Sequence, residues 1–164
     1  MKGRNVARYG LLVALALILS YLESLAPAFI AVPGMKLGLT NLVVLVALFR
    51  MGDKAAVAVN LLRILLVAML FGNAYALAYS LAGGLLSGAV MILLKRTGRF
   101  GMLGISVAGG LAHNLGQILA AMALMETWQL ISWLPVLWIS GMIAGLVVGL
   151  LGCEVARRLP PNLF

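Results

Sequence analysis

A few polar side chains interrupt apolar stretches of this sequence, and their types suit holding an anion or an electron-rich group. Arg63 is the most demanding of them. It lies in Asn60-Leu61-Leu62-Arg63-Ile64-Leu65-Leu66, and a guanidinium near a bilayer midplane costs about 3 kcal/mol on insertion scales. Such a group must face protein, water or an anion. Glu23, Lys36, Asn41, His113, Asn114 and Gln117 join it as candidate binding residues. His113 and Gln117 are four apart and share a helix face, with Asn114 flanking it. Lys36, Arg63 and His113 can each carry positive charge, against Glu23 as the one carboxylate within the apolar spans. The excess favours an anionic or electron-rich ligand. Arg63 would take a carboxylate or phosphate bidentately, Lys36 would add a second anion contact, and Asn41, Asn114 and Gln117 would supply oriented amides. Glu23 is expected to be the counter-charge that keeps Arg63 oriented. The alternative is structural: Glu23 neutralises Arg63 or Lys36, and His113 and Gln117 tie neighbouring helices together.

Other chemistries find less support. A proton path draws on acidic groups at several depths, and Glu126 falls at the end of its span rather than within it. There is no Ser/His/Asp set, no Gly-rich phosphate loop and no Asp-rich magnesium-diphosphate motif, so the expectation is a protein that is not an enzyme. The single cysteine, Cys153, allows no intrachain disulfide, and no Cys/His cluster has the spacing of a zinc or iron-sulfur site. No intrinsic cofactor is expected.

The elements that position these residues follow from composition. The chain has 164 residues, 64% hydrophobic and only 10% charged, with a mean hydropathy of +1.14. Soluble domains carry about 25% charged residues, so the solvent here is lipid. A net charge of +8 would suggest nucleic acid for a soluble protein. In a membrane it sets topology instead, and no nucleic-acid partner is expected. Lys2, Arg4 and Arg8 before Leu11 to Leu19 imitate a secretion signal. The proline within Ala26-Pro27-Ala28 disfavours cleavage, so this segment is read as a membrane span.

Turn residues divide the chain into six spans: Tyr9 to Phe29, Met35 to Phe49, Ala55 to Phe71, Tyr75 to Leu94, Phe100 to Met125, and Ser132 to Cys153. Ser132 is the expected N-cap of the last span, with Pro135 in its first turn. Crossing a membrane takes about 20 helical residues, so the second span is too short for a full upright helix. With the N-terminus inside, ten of the 12 Lys and Arg fall in cytoplasmic segments and Lys36 alone in an external one. That bias supports six spans and cytoplasmic termini. The expected fold is an all-α integral membrane protein, one transmembrane domain over residues 1–164, in the plasma membrane of a bacterium. Small residues recur every fourth position in the fifth and sixth spans, including Gly141, Gly145 and Gly149. Such faces let helices approach closely, either within the chain or against a partner subunit.

Two strings carry a resemblance. Pro33-Gly34-Met35-Lys36-Leu37-Gly38-Leu39-Thr40-Asn41 and Ala112-His113-Asn114-Leu115-Gly116-Gln117 resemble the Gx transporter family, which also bears the name heptaprenyl diphosphate synthase component I. Tyr21-Leu22-Glu23, Leu62-Arg63-Ile64-Leu65 and Ser80-Leu81-Ala82-Gly83-Gly84 fit the same pattern. The resemblance implies a bundle like the substrate-binding S components of energy-coupling-factor (ECF) transporters. These bind a small molecule from outside and work with a transmembrane coupling subunit and cytoplasmic ATPases. It also implies, as alternatives, a flavin- or quinone-linked membrane subunit of extracellular electron transfer, beside a NusG-like extracytoplasmic domain protein and an NADH dehydrogenase, or an accessory component of heptaprenyl diphosphate synthesis. S components often dock their partner through an Ala-xxx-Ala face on the first helix. Gly10 and Ala14 are the nearest equivalent here.

Overall fold

The computed structural model describes residues 2–25 and 38–160, and its elements are helical: α1 (Lys2–Leu25), α2 (Leu39–Arg50), α3 (Asp53–Phe71), α4 (Ala74–Thr97), α5 (Met102–Met125), a 3-10 segment (Trp128–Trp133) and α6 (Leu134–Arg158). All but α2 are long and apolar enough to cross a membrane, α6 together with the 3-10 segment before it. At 12 residues, α2 reaches about 18 Å at 1.5 Å per residue, well short of a ~30 Å hydrocarbon layer. Between the polar residues at its ends, Thr40, Asn41 and Arg50, it is apolar all round, and Val43 through Leu48 are buried without interruption. A helix with no polar face belongs inside, and α2 accordingly packs against α1, α3 and α6 and touches α5.

Tight turns and polar ties fix the two ends of the bundle. Gly52, at φ 97, makes the α2–α3 turn. There Lys95 Nζ donates to Leu48 O at 2.7 Å and pairs with Asp53 at 3.3 Å, while Arg96 meets Asp53 at 3.0 Å. Arg50 donates to the carbonyls of Leu159 and Pro160. The C-terminal ends of α2, α4 and α6 and the start of α3 therefore share one end, the basic end. At the other end Asn73 caps α4 by accepting from Ala76 N at 2.8 Å. Exposed Trp128 and Trp133 mark that aromatic end.

Glycines bring α4, α5 and α6 into the closest packing of the fold. A Cβ at Gly116 of α5 would lie 2.6 Å from Ala82 O of α4, and one at Gly110 would strike Gly141 O of α6. Backbone contact of this kind is how helices associate in lipid, where apolar side chains gain nothing over acyl chains. The seam between α3 and α4 is looser.

The described boundaries correct one expectation. The first helix is described as far as Leu25, and the expected end at Pro27 and Phe29 lies outside the described residues. Ser132 does not cap α6. It lies in the 3-10 segment with its hydroxyl donating to Gln129 O at 2.8 Å, Trp133 holds the N-cap position, and Pro135 does fall in the first turn of α6.

Candidate functional site

Asn60 and Arg63 are three residues apart on α3 and so point to the same side of the helix. Asn60, only 6% exposed, donates from Nδ2 to Gly84 O of α4 at 3.1 Å and accepts from Arg63 Nη2 on Oδ1 at 2.7 Å. The amide thus orients the guanidinium from below while anchoring itself to the next helix. Arg63 Nε is buried with no hydrogen-bond partner. A buried donor left unmade costs about 1–3 kcal/mol, more when charged, so this arrangement presents an unanswered positive group.

Two adjacent glycines of α4 let the other polar residues approach. A Cβ at Gly84 would lie 2.7 Å from Ile64 Cδ1 and 3.0 Å from Asn60 Nδ2. A Cβ at Gly83 would lie 2.8 Å from Gln117 Cγ and 3.1 Å from His113 Cε1. Asn60 of α3 and the His113–Gln117 pair of α5 therefore approach successive positions of α4, about 100° apart around its axis. Any side chain at Gly83 or Gly84 would push one of them away.

Glu23 takes a different place from the one expected as Arg63's counter-charge. Its Oε1 accepts the backbone N–H of Leu39 at 2.9 Å, and its Oε2 accepts the Thr40 hydroxyl at 2.9 Å. Because Thr40 gives its proton to Glu23, Ser20 Oγ donates to Thr40 Oγ1 at 3.0 Å. A carboxylate at a helix start satisfies orphan N–H groups and meets the positive end of the helix dipole. Gly38, the N-cap residue, has no side chain to do this. Glu23 is near enough for its charge to act on Arg63, but no ion pair joins them among the described residues.

The remaining expected residues are dispersed. Asn114 Nδ2 donates to Leu137 O at 2.6 Å and to Ser140 Oγ at 3.2 Å, tying α5 to α6. Asn41 lines a small cavity of about 20 Å³ with Ser87 and Ser106, room for about one water. Lys36 lies outside the described residues. Gly141, Gly145 and Gly149, expected as a partner-docking face, are buried against α5 of the same chain. Their Cβ atoms would come within 2.9 Å of Gly110 O, 2.7 Å of Val107 Cα and 2.8 Å of Leu103 Cδ1 respectively. Gly10 and Ala14 face outward on α1, and a Cβ at Gly10 meets nothing within 4 Å. Asn60 was absent from the expected set, although its i, i+3 spacing to Arg63 is visible in the sequence. Thr40, which binds Glu23, carried no such signal.

Apolar helices of spanning length around a part-buried arginine define a multi-pass helical membrane protein. Within that class, the chain belongs to the heptaprenyl diphosphate synthase component I family, whose model matches residues 12–155. No curated protein and no solved structure matches the chain.

Proposed function

We propose that this protein is a non-enzymatic, S-component-like subunit that binds a small anionic or redox-active molecule from the external side, with Arg63 as the principal contact. The observation that carries this reading is the unpartnered Nε of a membrane-depth guanidinium whose other bond goes to a neutral amide. The acid that would have neutralised it is engaged at the start of α2. His113 and Gln117 approach the same stretch of α4 and would contact the ligand's polar edge. The charge bias of the loops supports six spans with cytoplasmic termini, which puts the basic end inside and Arg63 about 12 Å below the outer surface at 1.5 Å per residue. The outward Gly10–Ala14 face leaves room for a coupling subunit. An electron-transfer role would use the same cluster for a quinone or flavin headgroup, with different partners.

Native mass spectrometry of the gently extracted protein tests this. The wild type should retain a small-molecule adduct. Arg63→Ala should lose it and still elute as a single species. Loss of folding together with the adduct would instead assign Arg63 to structure alone.

A further inference from the structure

Below Asn60, towards the basic end, α3 and α4 part around an apolar cleft of about 260 Å³. Val44 and Leu48 of α2 form its floor, and Asn60 is the one polar side chain in its lining. Its α4 wall runs from Gly84 to Ile92, about 12 Å at 1.5 Å per residue. Whole drug-sized ligands occupy roughly 300–1,000 Å³, so this cleft suits one arm of a ligand rather than all of it. Its mouth is flanked by Val57 and Leu85, 39% and 55% exposed, so it opens sideways where the bundle meets acyl chains.

Gly88 gives the second observation. Glycine in a helix interior costs about 1 kcal/mol relative to alanine. At Gly83, Gly84, Gly109 and Gly116 that cost is offset by a close neighbour. At Gly88, which lines the cleft, a Cβ would meet nothing within 4 Å. The missing side chain holds space open instead of admitting another helix.

We propose that the ligand is a single-tailed anionic amphiphile. Its head pairs with Arg63 on the outer side, and its tail lies in this cleft between α3 and α4. Asn60 joins the two halves, since it holds the guanidinium and also forms the cleft's upper rim. This rests on the assignment of Arg63 as the anion contact.

The test uses decyl phosphate carrying a photoreactive diazirine at its tail end, with the full chain in phosphatidylcholine nanodiscs. Methyl phosphate is the tailless competitor. Labelling should concentrate on Leu48, Ala89 and Ile92, be displaced by methyl phosphate, and be lost in Arg63→Gln. Gly88→Leu, which fills open space, should lose the cleft label while methyl phosphate still protects the Arg63 region from hydrogen exchange. Gly88→Ala should give a graded loss and covers the case in which Gly88→Leu misfolds. Arg63-dependent methyl phosphate protection with the tail label scattered over lipid-facing residues would overturn the tail site and leave the anion site standing. Labelling and protection that ignore Arg63 would overturn both.

Discussion

Replacing Asn60 by aspartate separates binding from stability at this site. In the native protein Asn60 Oδ1 accepts from Arg63 Nη2 at 2.7 Å, and Nδ2 donates to Gly84 O at 3.1 Å. Asn60→Asp keeps the first contact and gives it a full negative charge. It loses the second, turning an oxygen towards a carbonyl. The lost bond costs about 1 kcal/mol, near the 0.6 kcal/mol average for interhelical bonds in membranes. The new ion pair gives the guanidinium a carboxylate in direct contact, where Glu23 acts on it only without an ion pair, and breaking such a pair costs about 3–5 kcal/mol. Asn60→Asp should therefore be at least as stable as the wild type. An incoming anion must now displace an internal carboxylate. At 1.4 kcal/mol per tenfold, a competition of about 3 kcal/mol weakens binding by roughly 100-fold. Unfolding in mixed micelles measures the first quantity, and the retained adduct in native mass spectrometry the second. Undiminished adduct in Asn60→Asp would refute Arg63 as the anion contact. A loss of several kcal/mol in stability would refute the claim that no carboxylate is already paired with the guanidinium.

Four further outcomes follow from the same geometry. Glu23→Gln keeps the size of the side chain but removes its charge from the start of α2, and should lower unfolding free energy by about 1–2 kcal/mol in micelles; no change would show that the Leu39 and Thr40 bonds contribute little. Gly145→Ala should destabilise by about 1–3 kcal/mol, because its Cβ would sit 2.7 Å from Val107 Cα, whereas Gly10→Leu should leave thermal stability unchanged and weaken co-purification of a coupling partner. Asn114→Leu should cost about 1 kcal/mol through the lost ties to α6 and leave the adduct intact, and loss of the adduct at unchanged stability would place Asn114 in the binding site after all.

The helices were legible because charge is expensive in lipid: Arg50, Asp53 and Lys54, then Lys95, Arg96 and Arg99, had to lie at the ends of spans. The shortness of α2 was legible for the same reason. Partner choice was less legible. A glycine face reads identically whether its occupant is a neighbouring helix or a second protein, so Gly141, Gly145 and Gly149 gave the motif but not the occupant, which is α5. Glu23 had two plausible demands on it, a cation and a helix start. Its settlement at Leu39 depended on Gly38 providing no cap of its own, a feature that acquires meaning only once α1 and α2 are side by side. Arg63 was legible from cost alone. Asn60, which aims it, is a common enough residue that only the contact with Gly84 O distinguishes it.

The twin glycine seams on α5 also have a mechanical outcome. Gly116 and Gly110 lock that helix to α4 on one flank and to α6 on the other by main-chain contact, which admits almost no sliding. Three helices thus form a stiff plate, while α3 meets the plate through the Asp53 ion pairs at the basic end, the Asn60 bridge and a partly hollow joint between them. Relative motion of the helices would concentrate along that joint, and the residue that aims the guanidinium is also the latch across it.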